Sequence, residues 1–189
     1  MKRVHQGLAA LLVLGLIVAV VGWSDMLTDT SVHAGLVKLD AHQEFEGRAE
    51  RDLALAAARG DVGRIEQLVG AGVKINAAGR FYRVTPLMWA VLTRNTKGVR
   101  ALLQEGSDPN YRVPRATEAQ IDAAKDERFA TLTREGRKRV LAALDGDSAI
   151  SLAVKYAGYP ILKLLLDHGG DPNIDGRTEP PLFETRQLE

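Results

Sequence analysis

The chain has 189 residues, enough for one domain and an appendage, and its 46% apolar and 26% charged content is that of a folded protein. A formal net charge of +1 supplies no field for nucleic acid. The absence of cysteine excludes disulfides, thiolate metal sites, cysteine nucleophiles and a lipid-modified N-terminal cysteine.

Lys2 and Arg3 precede an uncharged run, GLAALLVLGLIVAVVGW, at residues 7–23. As a helix it would reach about 25 Å, a little under the roughly 30 Å of a bilayer's hydrocarbon layer, and it is longer than the apolar stretch of most signal peptides. Trp23 stands where an interfacial aromatic would lie. The basic residues before the run orient it with the N-terminus in the cytoplasm. Residues 1–24 therefore read as an uncleaved signal-anchor, a transmembrane helix. The alternative is a signal peptide cleaved after Ser24 or Ala34, which leaves a soluble exported protein. A buried core helix fits less well, because the run has no polar face. Residues 25–48 read as a mixed juxtamembrane tether with a short helix within 36–47.

From Ala49 onward the pattern is regular. One phrase is written three times: LVGAGVKIN at 68–76, LLQEGSDPN at 102–110 and LLLDHGGDPN at 164–173. Gly72 and Gly106 lie 34 apart, as do Asn76 and Asn110, while Asp108-Pro109-Asn110 and Asp171-Pro172-Asn173 lie 63 apart. The period is therefore about 33–34 residues, interrupted once. The upstream halves correspond too: RDLALAAA at 51–58, TPLMWAVL at 85–92 and SAISLAVK at 148–155. Each unit predicts a short helix of small residues, a turn and a second helix that ends in an apolar pair. Ile65, Leu68 and Val69 recur as Val99, Leu102 and Leu103 at helical spacing. The glycine after each pair accepts a left-handed backbone at the helix end, and Asp-Pro-Asn starts a turn.

The interruption, roughly residues 112–147, offers Thr117 and Gln120 as a capping box, with Ile121, Ala124 and Phe129 as an apolar side. Arg137, Lys138 and Arg139 follow, then Val140, Leu141 and Leu144. This predicts two short amphipathic helices protruding between the second and third units, with one poorly packed charged arm as the alternative. GRTEPPLFE at 176–184 reads as the start of a fourth unit.

These units resemble the ankyrin repeat. The family phrase T-P-L-H-x-A is met by Thr85, Pro86, Leu87 and Ala90, with Met88 in the histidine position. In that family the threonine caps the first helix, and proline occupies the first turn, where its missing N–H costs nothing. The first unit has Arg51-Asp52 in place of Thr-Pro, as expected of a terminal cap. The resemblance covers about residues 49–183 apart from the insertion. It implies an all-α solenoid over 49–189, of about three helix-hairpin units plus a partial fourth.

No catalytic chemistry is legible. His5, His33, His42 and His168 stand apart, and no His-Glu-x-x-His, G-x-S-x-G or phosphate-binding glycine loop occurs. Turn chemistry accounts for Asp171 and Asp175. No catalytic residue, metal, cofactor or small-molecule substrate is expected.

The resemblance implies a partner surface on the finger tips between units and on the exposed side of the first helices. Carried onto this chain, finger one reads AAGRFYRV at 77–84, with Phe81 and Tyr82 at its tip and Arg80 and Arg83 beside them. Arg83 stands where the family usually has glycine. Rigid aromatics beside arginine have the composition of an interaction hot spot; the competing reading tucks Phe81 under the insertion as a local core. Leu92 and Lys155 fall on the first-helix position that usually faces a partner. Tyr111 and Arg112 begin the second finger and extend the same candidate surface. Trp89 falls on a position that is usually buried and reads as core.

The function expected from these readings is non-catalytic protein–protein recognition. The domain would be tethered by residues 7–23 to a bacterial inner membrane, single pass, with the repeats in the periplasm. The bacterial setting is inferred from the one-pass anchor, the lack of cysteine and the minimal size. One alternative is an immunity protein that blocks a toxic effector, such as a lipase acting in the periplasm. Another, of a different class, is an enzyme with its active site under the insertion, for which the sequence supplies no cluster of titratable groups.

Overall fold

The computed structural model describes residues 31–34, 37–125 and 129–174. The apolar run at 7–23 and the start of a fourth unit at 176–184 lie outside them. Among the described residues no helix is long and apolar enough to cross a membrane.

Three helix pairs form where the repeated phrase places them. Unit one holds α2, Arg48–Arg59, and α3, Val62–Gly70; unit two holds α4, Pro86–Leu92, and α5, Thr96–Gln104. In unit three α8, Ala149–Leu152, runs on into a wider π turn, Ala153–Ala157, before α9, Tyr159–Asp167. Local chemistry sets the ends. The Thr85 hydroxyl accepts from Met88 N at 3.3 Å, with Pro86 in the first turn, and Asn95 caps α5 by accepting from Gly98 N at 3.0 Å. The glycine stops at 72, 106 and 169 take φ of 83°, 89° and 84°, the left-handed region that a side chain would strain.

The repeated asparagine has a structural job. The Asn76 side-chain oxygen accepts from Asp108 N at 2.9 Å, and that of Asn110 accepts from Asp171 N at 2.7 Å. Each thus ties the loop of its own unit to the loop of the next. Between helices, Asn95 Nδ2 donates to Ala58 O at 2.9 Å. At Gly98 the approach is closest, since a Cβ there would stand 1.9 Å from Ala57 O. Trp89 lies in the core, as read from the sequence, and Leu165 is fully buried as well.

Two expectations change. Over its described part, the predicted tether at 25–48 is folded. Strands β1, Ser31–Ala34, and β2, Val37–Asp40, form an antiparallel hairpin in which Ser31 faces Asp40, followed by the single-turn helix α1, Ala41–Glu44. Ala34, Leu39, Ala41 and Phe45 are buried in the same apolar cluster as the repeats. β1 packs against α4 and α1 against α2, so the described part of the segment before residue 49 joins the core of the repeats, which are themselves helical as the resemblance implied. Burial of these four apolar side chains favours docking over a free chain.

The insertion does form two helices, α6, Glu118–Ala123, and α7, Arg134–Leu141, and the Thr117–Gln120 capping box is present. It does not stand off as an arm, because Ile121, Ala124, Phe129, Leu141 and Leu144 are all buried. Its two ends meet: Val113 N donates to Asp147 O and Gly146 N to Val113 O, both at 2.8 Å, beside a backbone bridge from Arg112 to Ser148.

Candidate functional site

All seven residues of α4 are buried, Leu92 included, so the first helix of unit two presents no side chain to a partner. The β1 hairpin packs on this helix, and the Phe45 ring meets Trp89 edge-on at 5.7 Å. Strand β1 and helix α1 thus lie against first helices, the elements through which the family resemblance implied a partner would be gripped.

Finger one closes when Gly79 N donates to Val84 O at 2.9 Å. Its tip then wraps the end of α1. Arg80 N donates to Glu44 O at 2.7 Å, and Phe81 N and Tyr82 N donate to the Glu44 carboxyl at 3.3 and 2.8 Å. Glu44 is 1% exposed. Burial pushes its pKa up from 4.5 to about 7, opposed by the backbone N–H groups of residues 81–84. Gly79 permits this approach, because a Cβ there would stand 2.3 Å from Glu44 Cγ. Phe81 is buried and packs against Phe129 of the insertion, with ring centroids 5.3 Å apart. The Arg80 guanidinium lies over the Phe81 ring at 4.9 Å and pairs with Glu46 at 3.3 Å.

Arg83 is buried and clasps the insertion from below. Its guanidinium donates to Pro114 O at 3.0 Å, Phe81 O at 2.6 Å and Leu141 O at 2.9 Å, and pairs with Asp145 at 2.6 Å. Tyr111 is half-buried and donates its hydroxyl to Arg83 O at 3.0 Å. Burial raises the Tyr111 pKa, with nearby Arg83 acting to lower it and Glu44 to raise it further. On unit three, the exposed Lys155 pairs with the buried Asp147 carboxylate, which also accepts from Ser151 Oγ at 2.9 Å.

The eight candidate contact residues therefore divide. Arg80, Arg112 and Lys155 are exposed, and Tyr111 is half so. Phe81, Tyr82, Arg83 and Leu92 are buried, which corrects the expectation that they face a partner: the competing reading of Phe81 as a local core is the one observed. The finger tip is covered from both sides, by α1 through Glu44 and by the insertion through Phe129. Sequence reasoning missed Glu44, Asp145 and Asp147. The partners of Glu44 and Asp145 lie far along the chain, while those of Asp147 stand only four and eight residues on, and only Gly79, which marks a close approach, signals any of the three.

The ankyrin-repeat family profile matches residues 82–113 and 145–177, which are units two and three on either side of the insertion. The chain is 31% identical over 182 residues to a mitochondrial disaggregase of Bos taurus, covering 88% of this chain and 26% of the disaggregase. It therefore spans about a quarter of that relative's length. It is 30% identical over 129 residues to cyclin-dependent kinase 4 inhibitor B of Bos taurus, covering 66% of this chain and 97% of the inhibitor. Ankyrin repeats serve protein–protein interaction, and the inhibitor relative agrees with a non-enzymatic binding protein. Capped helix pairs, glycine stops and asparagine ties recur in register, and a relative is matched over nearly its whole length: the chain belongs to the ankyrin-repeat family.

Proposed function

We propose that this ankyrin domain recognises another protein while tethered, through residues 7–23, at the outer side of a bacterial inner membrane. The observation that carries the tether is the uncharged run behind Lys2 and Arg3. Recognition is steric, by a preformed surface with little ordering cost. Tethering would concentrate the domain near envelope partners. The exposed candidates are Arg80, Arg112 and Lys155, with Tyr159 on the same unit as Lys155 and 72% exposed.

Two measurements test this. Alkaline phosphatase fused to the C-terminus should be active in intact cells; an inactive enzyme with a fluorescent cytosolic reporter in its place would reject the location. Arg112→Glu together with Tyr159→Ala, both exposed, should weaken capture of a cross-linked envelope partner, and unchanged capture would reject this face.

The immunity reading remains a second proposal. Burial of Phe81 and Tyr82 takes away the aromatic finger tip as a grip on such a toxin. What supports this reading is that a relative matched over 97% of its length is named as an inhibitor of an enzyme. It requires that loss of the protein permit killing only in the presence of one particular toxin.

A further inference from the structure

Units two and three can be laid over each other position by position at their spacing of 63. In unit two Val91, Val99 and Leu103 are buried, at 0%, 0% and 7% exposure. That unit has a following one packed on it: α8 and the π turn lie against α4, and α9 lies against α5. The counterparts in unit three are Val154, Leu162 and Leu166. Val154 is 39% exposed and the two leucines are half-buried. Among the described residues nothing follows unit three. A repeat that ends a stack in water takes a polar outer face. Unit three instead keeps all three positions apolar, the chemistry of a side that is covered.

We propose that the cover is the chain's own segment Pro181-Leu182-Phe183, laid over Val154, Leu162 and Leu166 as the first turn of a further unit would be. The segment lies outside the described residues, and three observations point to it. The first is reach. The described chain leaves unit three at Ile174, and Leu182 stands eight residues on. Eight extended residues span about 26 Å, well over the ~10 Å diameter of a helix such as α9. The second is pattern. Unit two, which covers unit one, opens its first helix with Pro86-Leu87, both buried, ten and eleven residues after Asn76. Pro181-Leu182 stand eight and nine residues after Asn173, with a second apolar side chain in Phe183 and no charge from 180 to 183. Proline in a first turn gives up no hydrogen bond. The third is precedent within the molecule. At the other end of the stack β1 and α1, which belong to no repeat unit, pack on the first helices α4 and α2.

The test uses the full chain. It holds no cysteine, so an introduced pair has no other thiol to join within its own chain. Under mild oxidation Val154→Cys/Leu182→Cys should close a disulfide within the chain about ten-fold faster than Lys163→Cys/Leu182→Cys, whose first site is exposed on α9. Phe183 stays in place as the second anchor. Equal rates for the two pairs would overturn the proposal, because the segment would then have no preferred seat. Disulfides formed between chains, at a rate rising with protein concentration, would make a second copy the cover and overturn it as well. A second variant needs no new thiol. Leu182→Asp/Phe183→Asp lies outside the described repeats and should leave them folded, yet speed hydrogen exchange at residues 153–166 by about ten-fold. Unchanged exchange there would overturn the proposal. None of these outcomes touches the tether or the face at Arg112 and Tyr159, so the recognition reading and the cover are tested apart.

Discussion

Arg83 holds a left-handed backbone, φ 56°, at a position the family usually gives to glycine, a conformation that costs a side-chain-bearing residue about 1–2 kcal/mol. Four contacts to the first finger and the insertion offset that cost. Replacing Arg83 with Ala should destabilise by about 3 kcal/mol, because it leaves Asp145, one-fifth exposed, without its cation. Limited proteolysis should then cut first within the insertion; cleavage no faster than in the parent would show that the clasp is dispensable. Glu44 makes a prediction in pH. Its folded pKa is raised, so the folded state binds the proton more tightly than the unfolded chain. The associated stability is full below about 4.5 and is lost as pH rises to about 7. Relative to Glu44→Gln, which does not titrate, the parent should lose roughly 3 kcal/mol across that window in urea unfolding. A parallel pair of pH curves would refute the burial argument. Neither residue's role could be read from the sequence. Phe81-Tyr82-Arg83 has the composition of a contact surface, and what covers it comes from Glu44 and Phe129, far away in the chain.

The helix pairs were legible because their chemistry is local and repeated: a cap at Thr85, glycine stops and an apolar pair at helical spacing. The insertion helices were legible for the same reason, through the Thr117–Gln120 box. The hairpin was not. Strands of four residues, SVHA and VKLD, are too short for alternation to stand out, and their stability comes from packing on α4 rather than from their own pattern. Between elements, the closest packing lies at Gly98, where α5 meets the end of α2. Substituting Ala there places a methyl against Ala57 O and should cost about 1–3 kcal/mol despite the better helix propensity of alanine. A gain in stability would mean that the two helices can separate cheaply.

Taken as a whole, residues from the hairpin, all three units and the insertion share one apolar cluster. Loss of packing in the last unit should therefore be felt at the first finger. Leu165→Ala, at a site with 0% exposure, should cost about 2–5 kcal/mol and lower the melting of unit one and the insertion together. Separate melting of unit three, seen by segment-resolved hydrogen exchange, would contradict a common core. At this scale less of the first helices is exposed than the resemblance implied, because residues of β1 and α1 pack on them. The insertion carries a consequence of another kind. Its entry and exit are held side by side by the Val113–Asp147 and Gly146–Val113 bonds, so the excursion leaves and rejoins the repeat frame at one point. What the frame asks of the stretch between them is set by its contacts with the first finger. Any replacement that brings an acid to meet Arg83 and a greasy plug to meet Phe81 would seat on the same frame, so the protein could acquire new binding preferences without rebuilding its repeats.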